Sequence, residues 1–266
     1  PKFIFNSALI IENYYINKEY KKVKNLLKNF KKKDEFYYWF RIKKEGQIII
    51  KQKGNKVGMD FVISNFDKID KPNLRMIFDL ANFLKNSKRY EKAIIYYTQV
   101  ISSLDIDSEI KSDLLYRRGG SYERLGDYKK ADKDLLYSLK INPEDAYILN
   151  YLAYSWLERD YQTDEAMKML EKAYALKSND PYIIDSIGWA YYLIDNYEEA
   201  EKYLKRAVEL MPEDPVVNDH YGDILWKLNR KIQARYFWNN VLSFDNTEED
   251  IIKKINIKLI EGLQNS

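Results

Sequence analysis

The chain has 266 residues, 45% of them hydrophobic and 32% charged, with 9 Gly, 6 Pro and no Cys. That length can bury a sizeable core, and the absence of Cys excludes disulfides, thiolate metal sites and cysteine nucleophiles. The net charge of +3 hides an asymmetry: residues 1–73 carry 17 Lys and Arg against 8 Asp and Glu, which leaves 27 against 33 for the remainder.

Few Gly and Pro among many Lys, Glu, Leu and Ala predict a mostly helical protein. Tyr is abundant at 24 residues, as are Lys, Asn and Ile, so a single Tyr carries little information. No apolar run approaches the ~18 residues of a membrane span. The chain opens on Pro1, as expected of a processed product or a piece of a longer protein, and an export signal would lie upstream.

In chain order, residues 1–73 read as two irregular, basic helical hairpins, roughly 3–15 with 18–30 and 34–52 with 56–67. In the tract KKVKNLLKNFKKKDEFYYWFRIKK, lysines interleave with aromatics. One reading is contact with nucleic acid or an anionic membrane surface through residues 18–44. The plainer reading is a pair of amphipathic helices, which the spacing of Val23, Leu26, Leu27 and Phe30 fits.

From residue 74 the chain repeats. Gly119 and Gly188, Tyr122 and Tyr191, Tyr128 and Tyr197, Ala131 and Ala200, and Pro143 and Pro212 all share one offset. An offset about half as long links Ala166 and Ala173 to Ala200 and Ala207, and Gly188 to Gly222. The units predicted are 74–111, 112–145, 146–180, 181–214 and 215–248, and 249–266 is expected to be a closing helix over the last apolar face. Ile184, Ile187, Gly188 and Tyr191 share one helical face, and Ala200, Leu204 and Ala207 share another. Asp180-Pro181 and Asp214-Pro215 read as helix starts, and Asn196 as a cap. Unit 146–180 carries one extra residue near RDYQT and lacks the closing Pro; unit 112–145 has Ser138 where Ala is expected.

These residues and this period resemble the tetratricopeptide repeat (TPR) family, over about two thirds of the chain. The resemblance implies an all-α, right-handed superhelical solenoid of antiparallel helix pairs. It also implies a non-catalytic scaffold that holds a peptide or partner protein in a concave groove. Bacterial proteins of this kind include exported and envelope-associated members, so periplasm and cytoplasm both stay open.

Carried over by position, the groove face comprises Phe78, Asn82 and Lys85, then Tyr116, Gly120 and Glu123, then Asn150, Tyr154 and Leu157. Asp185, Trp189 and Tyr192 follow, and Asp219, Asp223 and Trp226 complete the face. The expected partner-binding residues are Tyr116, Asn150, Tyr154, Asp185, Trp189, Tyr192, Asp219, Asp223 and Trp226. The aromatics would anchor a partner; the plainer reading packs them on a neighbouring repeat or a second copy. The aspartates, taken as exposed, would favour an apolar or basic segment over an acidic one. Nucleic acid ranks below protein as a partner, while peripheral membrane association and self-association stay open.

Catalytic signals are absent. GNKVG (Gly54 to Gly58) is followed by Met59 and is no phosphate loop. DIDSE (Asp105 to Glu109) lacks the central Gly and distant Glu of a calcium loop. His220 is the one histidine, read as a surface or capping residue. No catalytic residue, metal or cofactor is expected.

Overall fold

The computed structural model describes residues 2–31, 34–103, 107–245 and 247–263, with side chains from Ser7 onward. Among them are fifteen α-helices and no strand. They form two compact units, residues 1–131 and 132–266. The first holds α1 (Lys2–Ile16), α2 (Tyr20–Leu27), α3 (Glu35–Lys53), α4 (Asn55–Phe66), α5 (Leu74–Asn86), α6 (Tyr90–Ile101) and α7 (Ser108–Arg124). The division falls inside α8 (Tyr128–Ile141). The second unit continues with α9 (Ala146–Leu157), α10 (Thr163–Leu176), α11 (Pro181–Leu193), α12 (Tyr197–Leu210), α13 (Pro215–Lys227), α14 (Lys231–Ser243) and α15 (Glu249–Glu261).

Local chemistry sets the helix boundaries. The side chains of Asp145, Asp180 and Asp214 each accept from two N–H groups in the first turn of α9, α11 and α13. Such caps are worth about 1 kcal/mol each. Pro181 and Pro215 take the first helical positions, where no N–H is missed. Asn196 accepts from the Glu199 N–H at 3.4 Å, as its place before α12 predicts. Within a pair, the turn passes through one left-handed residue: Lys88, Gly126, Asp195 or Asn229. The next N–H then returns to the carbonyl five residues back, for example Asn196 to Tyr191 at 2.9 Å and Arg230 to Leu225 at 2.8 Å. The extra residue in RDYQT is absorbed by a second left-handed position, so that both Asp160 and Gln162 have φ 50°.

Small residues fix how closely the paired helices approach. A Cβ on Gly188 would lie 2.8 Å from Leu204 Cγ and 3.0 Å from Tyr203 Cβ. Ala200, Leu204 and Ala207 are fully buried beside it, in a core that continues to Ile184, Trp238 and Ile255. In the first unit one cluster gathers Trp39, Phe66, Leu80 and Tyr97, and a second lies among Ile11, Val23, Leu27, Phe30 and Ile48. Phe30 and Trp39, which punctuate the basic tract, are therefore interior; Trp39 meets Phe66 edge-to-face at 5.0 Å. The lysines nearest them lie over a core, while Phe36 of the same tract stays exposed.

Gly188→Val or Ala200→Leu should destabilise the second unit by roughly 1–3 kcal/mol, because the added atoms overfill an interhelical contact. Thermal melts followed by circular dichroism check this, and unchanged melting would show that the contact is loose.

Candidate functional site

The expected groove residues Asp185, Asp219 and Asp223 are brought to successive first helices of the second unit, but Asp185 and Asp223 are buried and Asp219 is partly so. Asp185 on α11 is buried against His220 on α13, with Nδ1 to Oδ2 at 2.9 Å. Asp219 and Asp223 receive Lys258 of α15, whose Nζ lies 2.5 Å from Asp219 Oδ1 and 2.8 Å from both Asp223 oxygens. Asp223 also accepts from Trp238 Nε1 at 3.0 Å. The acids expected to attract a basic partner are thus each matched by a cation from the next first helix. Buried carboxylates need such partners.

Titration reflects the arrangement. Burial lowers the His220 pKa, but Asp185, then Asp219 and Asp223, raise it, and the net shift is upward from 6.5. Burial, then Asp219, pushes the Asp223 carboxyl up to about 6 despite Lys258. For Lys258, burial opposes the charge, while Asp223 and Asp219 outweigh it and raise the pKa.

The aromatic residues divide into two roles. Trp189 stacks on His220 at 4.0 Å between centroids and on Tyr192 at 4.5 Å, with interplanar angles of 13° and 11°. Its Nε1 donates to Glu158, the residue that caps the C-terminus of α9, at 2.6 Å. The result is a layered platform of His220, Trp189 and Tyr192 in which His220 is buried and Trp189 and Tyr192 are half-buried. Trp226 is different. It lies 5.3 Å from Trp238, under Arg235 at 4.8 Å and Lys231 at 5.1 Å. Its ring would come within 2.1 Å of a Cβ on Gly262. Trp226 thereby packs the end of the unit.

Asn150 occupies in α9 the place that Asp185 takes in α11 and Asp219 in α13. Its Oδ1 is buried and has no hydrogen-bond partner among the described residues. Tyr154 is half-buried one turn further on, and Tyr116 is half-buried in the first unit.

Sequence reasoning took His220 for a surface or capping residue and missed the parts played by Glu158 and Lys258. A usable signal was present: Asp185 to His220 and Asp223 to Lys258 are both 35 residues apart, one repeat period. No group of three or more His, Asp or Glu side chains placed to hold a metal occurs among the described residues. The stretch Asp105 to Glu109 lies partly outside them. No described helix is long and apolar enough to cross a membrane.

Comparison with known proteins agrees with this architecture. Family models described as tetratricopeptide repeat match residues 181–214, and 74–103 with 112–145. A TPR repeat-containing protein of Pseudomonas aeruginosa is 31% identical over 46% of this chain. A lipoprotein NlpI homolog of Haemophilus influenzae is 30% identical over 42% of it. The matches span only 20% and 35% of those relatives' lengths. Among solved structures, a TPR protein of Thermus thermophilus is similar with a TM-score of 0.61, 17% identity, and coverage of 71% of this chain and 100% of that one. One from Parabacteroides merdae scores 0.59 at 16% identity, covering 84% of this chain and 87% of its own. At such identities the likeness is one of fold: an all-α solenoid of helix pairs.

Two outcomes follow from the buried charges. The stability that His220 contributes is present in full below its unfolded pKa of 6.5 and is lost as pH rises through the raised folded value. Denaturant melts of the second unit should weaken over that range, and His220→Gln should remove this part of the slope while costing about 3–5 kcal/mol at neutral pH by orphaning Asp185. Lys258→Ala should cost more at about pH 8 than at about pH 5, since Asp223 can take up a proton only at the lower pH. A pH-independent cost would contradict the assignment.

Proposed function

The chain is a tetratricopeptide-repeat protein, and from that premise we propose that its second unit binds an apolar partner segment across the Trp189–Tyr192 platform. Tetratricopeptide repeats support protein-interaction scaffolds in general; such proteins are typically non-catalytic. The finer reading rests on one observation: Trp189 and Tyr192 are held in the layered stack and are only half covered. His220 backs Trp189, and the bond to Glu158 fixes its edge. Such an aromatic loses little freedom on binding, so more of the contact energy appears as affinity.

Asn150 extends the site. It is half-buried on the preceding first helix, though its unpartnered Oδ1 lies inside and is closed to a bound segment. The charge preference is weaker than the string of aspartates suggests, because Asp185, Asp219 and Asp223 are already matched by His220 and Lys258. An apolar segment needs none of these pairs to break. A basic segment would have to displace Lys258. The rival site, the basic stretch 18–44, has lysines to offer but has committed Phe30 and Trp39 to the core.

Selection from a peptide library displayed on phage tests the proposal. Peptides retained by the intact chain should be apolar, and Trp189→Ala should weaken them by about 30-fold, the equivalent of ~2 kcal/mol for a truncated aromatic anchor. Circular dichroism would confirm that the variant folds. Retained peptides that are lysine-rich, or indifferent to Trp189→Ala, would move the site away from this platform.

A further inference from the structure

The turns that join successive helix pairs of the second unit carry a contact that repeats and then lapses. Glu144, Asn179 and Glu213 stand at one repeat position, each just before the aspartate that caps α9, α11 or α13. Lys172, Arg206 and Asn240 stand at another, each six residues after a fully buried alanine: Ala166, Ala200 and Ala234. Lys172 on α10 reaches back to the preceding turn, with Nζ 2.5 Å from Glu144 Oε1 and 2.9 Å from the Pro143 carbonyl oxygen. Arg206 on α12 does the same one repeat later. It donates from Nη2 to Asn179 Oδ1 at 2.6 Å and from Nη1 to Tyr174 OH at 3.3 Å. At the third step the residue is Asn240 on α14, neutral and shorter, and no cation among the described residues meets Glu213.

A cleft of about 810 Å3 opens at that third step, between the turn that joins α12 to α13 and the end of α14. Met211, Pro212 and Phe244 give it apolar walls, Glu213 and Asp245 give it carboxylates, and no lining residue is Lys or Arg. The remaining acid, Asp214, is committed to the N–H groups of Val216 and Val217. We propose that this cleft binds an arginine side chain presented by a partner protein, in the place that Lys172 and Arg206 fill at the preceding steps. The cleft lies among the turns, whereas the aromatic platform is built on α11 and α13, so the inference goes beyond the platform and does not depend on it.

The chemistry of the cleft selects its ligand. Carboxylates set between apolar walls concentrate cations, and a neutral or acidic side chain would leave Glu213 unmatched. Arginine suits the site better than lysine, because a planar guanidinium lies on an aromatic face while its N–H fork meets a carboxylate. Phe244 supplies the ring, and Glu213 and Asp245 the carboxylates. Size agrees as well. The volume falls within the roughly 300–1,000 Å3 of ligand pockets, room for the guanidinium, its methylene stem and an apolar neighbour against Met211 and Pro212. Glu213 and Asp245 are exposed, and an exposed ion pair is weak. The contact therefore adds specificity to a wider partner interface and does not by itself retain a short displayed peptide.

Met211 is one of five methionines in the chain and lines the cleft, so its methyl signal in nuclear magnetic resonance spectra of the full chain reports on the site. Met211→Leu assigns that signal. The probe is N-acetylated, C-amidated Leu-Arg-Leu, and the control carries citrulline, the uncharged isostere, in place of the arginine. The arginine peptide should shift the Met211 methyl saturably in the millimolar range, and the citrulline peptide should bind about tenfold more weakly, ~1.4 kcal/mol. Glu213→Gln, at an exposed position, should weaken the arginine peptide severalfold. Asn240→Arg, which supplies the missing cation from within the chain, should close the site. Equal binding by the two peptides, no shift from either, or a shift that neither substitution weakens would overturn the proposal. Trp189→Ala should leave the shift in place. Loss of the Met211 shift with the Trp189-dependent selection intact removes this site alone; the reverse pattern removes the platform alone.

Discussion

Burying a carboxylate between helices costs several kcal/mol unless a cation reaches it with good geometry. Asp185, Asp219 and Asp223 meet that condition through the repeat itself. One period places His220 opposite Asp185 and Lys258 opposite Asp223. The order of the second unit at α11, α13 and α15 therefore depends on a charge relation between successive first helices. Small residues such as Gly188 and Ala200 set the approach within each pair; the buried ion pairs bind each pair to its successor.

The platform is a consequence of the same relation. His220 is held by Asp185 in a plane that lets Trp189 stack on it, and Tyr192 stacks on Trp189 as well. A charge matched inside the array thus fixes an aromatic surface at its edge. Lys258 does the corresponding work at the end of the unit. It neutralises Asp219 and Asp223 while α15 buries Ile255 and brings Gly262 against Trp226. The last repeat is covered by α15, while Asn150 and Trp189 on earlier first helices are half-buried.

The helix pairs were legible because their signals are local and recur: Asp-Pro starts, an alternation of Gly or Ala with Leu, and a fixed period. Even the extra residue in RDYQT announced an altered turn. The irregular hairpins were placed, yet their packing device was not. Gly58, read only as part of a failed phosphate motif, sits in α4, where a Cβ would lie 2.3 Å from Ile50 Cγ1. In the candidate site, Trp189 and Tyr192 could be singled out because the repeat pattern does not require them. The aspartates were misjudged as exposed because exposure was assigned from one helix at a time. Their burial depends on which residue the next repeat presents, and that is a pairing across 35 positions, not a property of Asp185 or Asp223 alone. Lys258 lay in a segment read merely as a cap.

The central claim is that a buried Asp185 holds a protonated His220 beneath Trp189. The chain has a single histidine, so its imidazole signal can be followed alone by nuclear magnetic resonance as pH is varied. The account predicts that His220 titrates above its ordinary 6.5 in the intact protein, and that in Asp185→Asn the midpoint moves downward because the strongest of the groups raising it is gone. A midpoint at or below 6.5 in the intact chain, or one that Asp185→Asn does not move, would contradict it.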